Sequence, residues 1–237
     1  TFEYFEVFSK EVGTIPSRDL YKFFDREGNT LVLRPDFTPS VSRACATYFN
    51  PEKEVVSLCY TGNTFINNSS FRGRLKETTQ MGVERMGDDS PEADAEILAM
   101  TVECLLATGL TEFQVSVGQV DYYKAIFAQT GMSQEEEEEL RELISQKNYF
   151  GVEELVKNKN MDKSLARVLS QLPQMFGSTE VLEKAKSLTD NPQALKAVAR
   201  LEEIYELLKV YGYEKYVTFD FAMLSKYHYY TGIIFQA

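Results

Sequence analysis

Polar side chains recur at alternate positions along one predicted strand in the first half of the chain. If residues 76–86 are extended, Lys76, Thr78, Gln80 and Glu84 share one face, because successive side chains of a strand point to opposite sides. A strand face inside a fold is ordinarily apolar, whereas these hydroxyl, amide and carboxylate groups form hydrogen bonds. The alternation therefore predicts that this face binds a small polar ligand.

An uncharged segment, residues 67–70, lies in the loop before this strand. Residues 63–84 predict an extended arm, a polar loop and a second extended arm, and the loop contains Asn67, Asn68, Ser69 and Ser70. A loop that binds phosphate ordinarily carries arginine, whose planar guanidinium forms paired hydrogen bonds with anions. The composition of residues 67–70 is therefore unfavourable for binding an anion.

Alternation, turn residues and capping signals indicate the elements that position these side chains. Thr38 is predicted to be an N-cap with Pro39 at the first helical position, and Gly109 is predicted to end a helix. A charged turn at residues 25–29 predicts a hairpin. The predicted strands are 20–24, 30–34, 55–65, 76–87 and 113–117, and the predicted helices are 2–9, 38–49, 90–108 and 121–128.

The pattern changes in the second half of the chain. Residues 133–212 are rich in Glu, Lys, Leu and Ala and lack strand signals, which predicts roughly four to six helices. The run Glu135–Glu139 is predicted to be the solvated first turn of one of them, where the helix dipole favours negative charge. Strands are predicted again at 217–221 and 229–235, and the last of these reaches Ala237. We therefore expect that further segments of the protein lie before Thr1 and after Ala237.

Composition limits the class of protein. The chain has 237 residues, of which 43% are hydrophobic, enough to bury a core without disulfide bonds. Its net charge of −11 disfavours a dominant contact with nucleic acid. Cys45, Cys59 and Cys104 form no CxxC pair and are expected to be reduced thiols. No apolar run approaches the ~20 residues of a membrane span, and no signal peptide is visible, so we expect a soluble cytoplasmic protein without membrane contact.

Standard cofactor and catalytic motifs are absent from the sequence. It contains neither GxGxxG nor GxxxxGK[ST], and His228 is its single histidine. Neither a histidine-ligated zinc site nor a Ser-His-Asp triad is therefore predicted. His228 is either a half-exposed residue near the start of a strand or a ligand contact. We expect no cofactor, no metal and no catalytic residue.

Four segments, in this order, resemble the catalytic-domain motifs of class II histidyl-tRNA synthetases. They are residues 31–38 (LVLRPDFT), 73–84 (GRLKETTQMGVE), 91–96 (PEADAE) and 229–235 (YYTGIIF). The resemblance covers essentially the whole chain. It implies an α+β fold for residues 1–237, with the class II aminoacyl-tRNA synthetase-like, mainly antiparallel six-stranded sheet flanked by helices. The helical segment would then be an insertion at about residues 131–212.

The resemblance also implies a histidine-binding site. The residues it assigns to the site are Asp36, Thr38, Gln80, Glu84, Tyr229 and Tyr230. The two carboxylates suit an ammonium group and an imidazole N–H, while the amide and the tyrosine hydroxyls add neutral hydrogen bonds. The structural alternatives are a turn residue at Asp36 and ordinary strand packing at the two tyrosines.

The sequence departs from the synthetases where they bind ATP. An arginine that holds the α-phosphate follows an aromatic residue in the synthetases, and here Ile66 follows Phe65. Lys76 replaces a second arginine and keeps the charge without the bidentate fork. Ser225 occupies the position of the arginine that drives adenylation. Because one such group is typically worth ~10²–10³ in rate, the resemblance implies histidine binding without histidine activation.

This combination resembles the synthetase-like regulatory subunits of short-form ATP phosphoribosyltransferase. The resemblance implies a non-catalytic protein that the catalytic subunit requires in the first step of histidine biosynthesis, and that takes part in feedback inhibition by histidine. It implies a dimer within a hetero-octamer and no binding of tRNA. Histidine could bind in this pocket or at a subunit interface. Two alternatives are an active histidyl-tRNA synthetase catalytic domain and a stand-alone histidine-sensing pseudo-synthetase with an unrelated partner.

Overall fold

Two compact units make up the chain: unit one is residues 1–89 and unit two is residues 90–237. Unit one contains two of the sheets, and unit two contains a third sheet and most of the helices. The computed structural model describes residues 1–9, 15–68, 73–159, 161–224 and 230–237.

Unit one begins with a three-stranded antiparallel sheet in the order β1-β3-β2. Its strands are β1 (Phe2–Tyr4), β2 (Lys22–Phe24) and β3 (Thr30–Leu33), and the predicted hairpin of β2 with β3 is confirmed. The predicted helix over residues 2–9 is wrong in its first half, because only α1 (Glu6–Ser9) is helical. β1 instead pairs with Leu31 to Leu33, and this ladder satisfies backbone groups that a short helix would leave open.

Helix α2 (Thr38–Tyr48) begins at Thr38 itself, so the prediction of Thr38 as the N-cap is wrong. The N-cap is Phe37, whose side chain makes no capping hydrogen bond. Asp36 supplies the missing acceptor, because its Oδ1 accepts a hydrogen bond from the backbone N–H of Thr38 at 3.3 Å. The Thr38 hydroxyl is therefore not needed for capping and donates to Glu84 instead.

The two predicted arms form an antiparallel hairpin of β4 (Val56–Phe65) and β5 (Glu77–Met86). Its register pairs Leu58 with Glu84 and Gly62 with Gln80. Because side chains alternate along a strand, this confirms that Gln80 and Glu84 share one face. Lys76 lies immediately before β5, and its carbonyl oxygen extends the ladder by accepting a hydrogen bond from the backbone N–H of Ile66 at 3.0 Å.

Unit two begins with α3 (Pro91–Ala107), which has both predicted ends. The Ser90 hydroxyl accepts a hydrogen bond from the backbone N–H of Ala93 at 3.1 Å and caps the first turn. Gly109 follows the last turn with a φ of +89°, the left-handed conformation that glycine adopts without a Cβ clash.

The sheet of unit two has the order β7-β8-β6-β9. Its strands are β6 (Val115–Gln119), β7 (Phe176–Gly177), β8 (Val217–Asp220) and β9 (Ile233–Gln236), and α4 (Val120–Phe127) follows β6 directly. β6 and β8 are parallel, whereas the other pairs are antiparallel. Sequence patterns did not predict β7, because two residues are too few to show an alternation.

Five helices occupy most of residues 134–211, in agreement with the predicted helical segment. They are α5 (Gln134–Ser145), α6 (Tyr149–Asn158), α7 (Lys163–Gln171), α8 (Glu180–Ser187) and α9 (Pro192–Tyr211). The acidic run begins α5, where Ser133 and Glu136 form a capping box. α9 packs against α3 and α4, and its buried residues recur every three or four positions. That these helices are an insertion into a class II domain remains a prediction.

The described strands form three sheets, of three, two and four strands, and not one sheet of six. Pairing is mainly antiparallel, as predicted, with β6 and β8 as the exception. The prediction of a single sheet is therefore wrong for the described residues. Among them, β4 and β5 form backbone ladders only with each other.

Lys147 links the helical segment of unit two to its sheet. It follows α5 with a φ of 56°, which makes it the one non-glycine residue with a positive φ in the described ranges. The backbone N–H of Asn148 donates to the carbonyl of Leu143 at 2.9 Å, which closes the helix end. The Lys147 ammonium donates to Oδ2 of the buried Asp220 at 2.9 Å. At Lys147 the ion pair stabilises the fold, whereas the left-handed backbone conformation destabilises it for any residue with a Cβ atom.

Two substitutions separate these opposing effects at Lys147. Lys147→Ala and Lys147→Gly both remove the ion pair, but alanine keeps the left-handed penalty and glycine does not. We expect the glycine variant to be more stable by about 1 kcal/mol in chemical denaturation. The same pair at Lys196, an exposed residue within α9, is the control and should show the opposite order, because glycine weakens a helix interior. Equal stabilities at position 147 would contradict the left-handed penalty.

Candidate functional site

Four of the six predicted histidine-binding residues lie in unit one, and three of these meet beside the hairpin. The Thr38 hydroxyl donates to Glu84 Oε1 at 2.7 Å, and the Thr38 backbone N–H donates to Asp36 Oδ1. Thr38 therefore connects the two carboxylates through its side chain and its backbone. Gln80 projects from the same face of β5 and is exposed.

The two carboxylates form no ion pair with any described residue of unit one. Within the described part of the chain, no lysine, arginine or amino terminus lies within ion-pair distance of Asp36 or Glu84. Only Oδ1 of Asp36 and Oε1 of Glu84 are used in the hydrogen bonds described above. The other oxygen of each carboxylate is available, and such a pair attracts a cation that carries N–H donors.

An aromatic layer covers the middle of this face. The rings of Phe37 and Tyr60 are stacked, with centroids 4.4 Å apart and planes 14° apart. The Arg34 guanidinium carbon lies 3.9 Å from the centroid of Phe37, and Arg34 Nε donates to the carbonyl oxygen of Asn63 at 2.9 Å. Arg34, Phe37 and Tyr60, together called the layer, join the segment before α2 to strand β4.

The layer fits because two glycines leave space for it. A Cβ at Gly62 would lie 2.7 Å from Arg34 Nη2 and 2.8 Å from Phe37 Cζ. A Cβ at Gly82, directly opposite Tyr60, would overlap the Tyr60 hydroxyl. A Cβ atom at either position would lie closer to the layer than real Cβ atoms ever lie to other atoms. These two positions therefore exclude any larger residue while the layer is in place.

The Tyr60 hydroxyl experiences the charge of the site. Burial raises its pKa above the ordinary value of 10.0, and the negative charges of Glu84 and Asp36 raise it further. The phenol therefore stays neutral near pH 7 and keeps both its donor and its acceptor.

Sequence analysis missed Tyr60, Phe37 and Arg34 as residues of this face. The first arm did indicate that Tyr60, Gly62 and Thr64 share one face, because they are spaced two residues apart. Which face of the hairpin this is depends on the register, which places Tyr60 opposite Gly82 and Thr64 opposite Thr78. The two threonine hydroxyls lie 3.1 Å apart, so this end of the face is closed by its own hydrogen bond.

One backbone hydrogen bond and one hydrogen bond from a side chain hold the start of the loop between β4 and β5. The backbone N–H of Asn67 donates to the carbonyl of Asp19 at 2.8 Å, and the Asn68 side chain donates to the carbonyl of Leu75 at 3.2 Å. Ile66 is half-buried and Lys76 is exposed. Ser69 and Ser70 lie outside the described residues.

The remaining two predicted residues belong to unit two. Tyr230 is 39% exposed, and its carbonyl oxygen accepts a hydrogen bond from the Lys124 ammonium at 2.5 Å. Gly232 follows with a φ of +67°, and its backbone N–H donates to Asp121 Oδ2 at 3.1 Å. These contacts fix the backbone just before β9. Tyr229, together with Ser225 and His228, lies outside the described residues.

No group of three or more His, Cys, Asp or Glu residues is arranged to hold a metal ion in the described ranges. Of the helices described, none combines the length and the apolar character needed to cross a membrane.

Comparison with known proteins places the chain in a family. The model of the histidyl-tRNA synthetase family matches residues 1–237. The chain belongs to this family. The α+β, class II synthetase-like fold predicted from the motifs is thereby confirmed.

Similar family members include proteins with a regulatory name. An ATP phosphoribosyltransferase regulatory subunit of Acetivibrio thermocellus is 40% identical over 234 residues, which cover 99% of this chain. The crystal structure of an ATP phosphoribosyltransferase regulatory subunit/histidyl-tRNA synthetase from Bacillus halodurans C is 33% identical, with a TM-score of 0.87 over 100% of this chain. An ATP phosphoribosyl transferase (HisG:HisZ) complex from Thermotoga maritima has a TM-score of 0.66 at 20% identity over 99% of this chain, and shows the fold alone.

The chain spans only part of each relative. It covers 56% of the Acetivibrio thermocellus protein, 61% of the Bacillus halodurans chain and 77% of the Thermotoga maritima chain. The family assignment is made for residues 1–237.

A double-mutant cycle tests the packing of the layer on the hairpin of this family member. Gly82→Ala alone should destabilise the protein by about 1–3 kcal/mol, because the new methyl group overlaps Tyr60. With Tyr60→Ala present, the same substitution should be neutral or stabilising, because alanine is otherwise better than glycine in a strand. The measurement is chemical denaturation of the four proteins. Additive effects would show that Tyr60 does not lie over Gly82.

Proposed function

We propose that this chain belongs to a regulatory subunit of ATP phosphoribosyltransferase that binds histidine and does not activate it. The observation that carries the proposal is the pairing of Asp36 and Glu84 through Thr38, without a basic neighbour among the described residues, while Ile66 occupies the position of the synthetases' phosphate-binding arginine. The regulatory names of similar family members support it.

The chemistry of the site suits a free amino acid with a basic side chain. An ammonium group and an imidazole N–H are donors, and the unused oxygens of Asp36 and Glu84 are acceptors. Gln80 adds an amide that can both donate and accept. Tyr229 and Tyr230 are assigned to histidine binding by the family resemblance, and these two assignments remain predictions.

Adenylation needs positive charge that this sequence has lost at two positions. Transfer of an adenylyl group depends on cations that neutralise the developing charge on the phosphate. Isoleucine at position 66 and serine at position 225 provide none, and Lys76 lacks the bidentate geometry of arginine. We therefore propose that the protein has no catalytic residues and needs no cofactor, metal or tRNA.

Regulation would operate through a partner. We propose that the protein forms a dimer within a cytoplasmic hetero-octamer with the catalytic phosphoribosyltransferase subunit, and that residues 1–237 form its class II domain. Histidine would inhibit only if it binds one quaternary arrangement more tightly than another. Both the face of β5 described above and a subunit interface are compatible with that requirement.

Histidine binding is tested by calorimetry on the full-length protein. Glu84→Gln should weaken binding of L-histidine about 10-fold or more, because it replaces a charged acceptor with a neutral one. Glu77→Gln is the matched control, since Glu77 lies on the opposite face of the same strand and should have little effect. Absence of binding to the wild-type protein, with or without its partner, would refute histidine as the ligand.

A second measurement separates the regulator from a synthetase, a rival that the double name of the Bacillus halodurans protein keeps open. We expect the purified full-length protein to show no histidine-dependent exchange of pyrophosphate into ATP. Added to the catalytic phosphoribosyltransferase subunit, it should raise that subunit's activity and make it sensitive to histidine. Pyrophosphate exchange by the protein alone would favour the synthetase. Isolation with an unrelated partner, and no effect on the phosphoribosyltransferase, would favour a stand-alone sensor.

A further inference from the structure

Tyr60 lies between the two polar residues of β5 that face the proposed ligand. Its partner across the hairpin is Gly82, which separates Gln80 from Glu84 along the strand. Gln80 and Glu84 are four residues apart on one strand, which is roughly 13 Å. A small amino acid that touches both side chains must therefore pass over position 82. Because Gly82 has no side chain, the group at that position is Tyr60.

The Tyr60 hydroxyl is an unused polar group. Among the described residues, no hydrogen-bond partner of this hydroxyl is found, and the oxygen is not among the buried unsatisfied atoms. It can therefore be reached from outside the protein. A reachable hydroxyl that is influenced by the charges of Glu84 and Asp36 extends the set of ligand-binding groups at this face.

The side chain is held rigidly, although its hydroxyl is unpaired. Phe37 stacks on one side of the ring, and Arg34 in turn packs on Phe37 and donates to the carbonyl of Asn63. A side chain that is ordered before binding loses little conformational entropy when the ligand arrives. The hydroxyl group of Tyr60 is not needed for packing, because phenylalanine at position 60 would make the same stack with Phe37.

We propose that Tyr60 is a ligand-contacting, specificity-determining residue of the histidine site, that its hydroxyl forms a hydrogen bond with an N–H group of the bound amino acid, and that Phe37 is its positioning residue. The proposal rests on histidine binding by this face, as proposed above. The phenol stays neutral in the field of Asp36 and Glu84, so its oxygen can accept a hydrogen bond from an N–H group of the ligand.

The test is calorimetry with L-histidine on the full-length protein and its Tyr60→Phe variant. This substitution removes the hydroxyl alone and keeps the ring, so the unfolding temperature should change little. The affinity should fall about 2- to 13-fold, the usual range for one lost hydrogen bond. Tyr48→Phe, at a 79% exposed position in α2, is the control and should bind histidine like the wild type.

A cycle with Phe37→Leu tests positioning. Loss of the stack should weaken histidine binding when Tyr60 is present, and should have little further effect in the Tyr60→Phe background. A merely structural role of Phe37 would weaken binding equally in both backgrounds and would overturn its positioning role. If the wild type binds histidine and Tyr60→Phe binds within 2-fold of it, the role of Tyr60 is refuted and the proposed function stands. If the wild type does not bind histidine, both fail.

Discussion

The candidate site depends on the register of one antiparallel hairpin. Pairing of Leu58 with Glu84 and of Gly62 with Gln80 brings three polar or glycine positions of β4 and four of β5 to the same face. A shift by one residue would turn Gln80 and Glu84 to the opposite side, where Asn63 and Glu77 already form a hydrogen bond. Both the aromatic layer and the Thr38–Glu84 hydrogen bond require this register.

Glycines in the two strands weaken the hairpin locally and make the site possible. A glycine within a strand has no side chain to pack and loses more conformational freedom on folding than other residues. Here Phe37 and Tyr60 cover the two glycines, and Arg34 covers Phe37. The layer thereby restores apolar packing over the bare backbone, and its aromatic side chains come from two different segments of the chain. Packing of the layer over Gly62 and Gly82 thus determines both the local stability of the hairpin and the shape of the site.

The distribution of charge explains why this face suits a cation. Arg34 is the nearest basic residue in sequence to Asp36, yet its guanidinium packs on Phe37 and donates to a backbone carbonyl. It therefore does not neutralise the carboxylates. Asp36 and Glu84 remain uncompensated within the described residues, and Thr38 connects them by neutral hydrogen bonds. An amino acid with a basic side chain would complete the charge balance of such a site.

The sequence by itself determined the family, most element positions and the polar face of β5, because these depend on local patterns. Alternation predicted that Gln80 and Glu84 share a face, and Ser90 with Gly109 marked both ends of α3. Three features were decided only by the tertiary structure. The strand at Phe2–Tyr4 exists because β3 offers it a partner. Thr38 turns to Glu84 because Asp36 accepts the hydrogen bond of the first helical N–H. Tyr60 joins the site because Gly82 lies opposite it, and a contact between residues 22 positions apart leaves no trace in local periodicity.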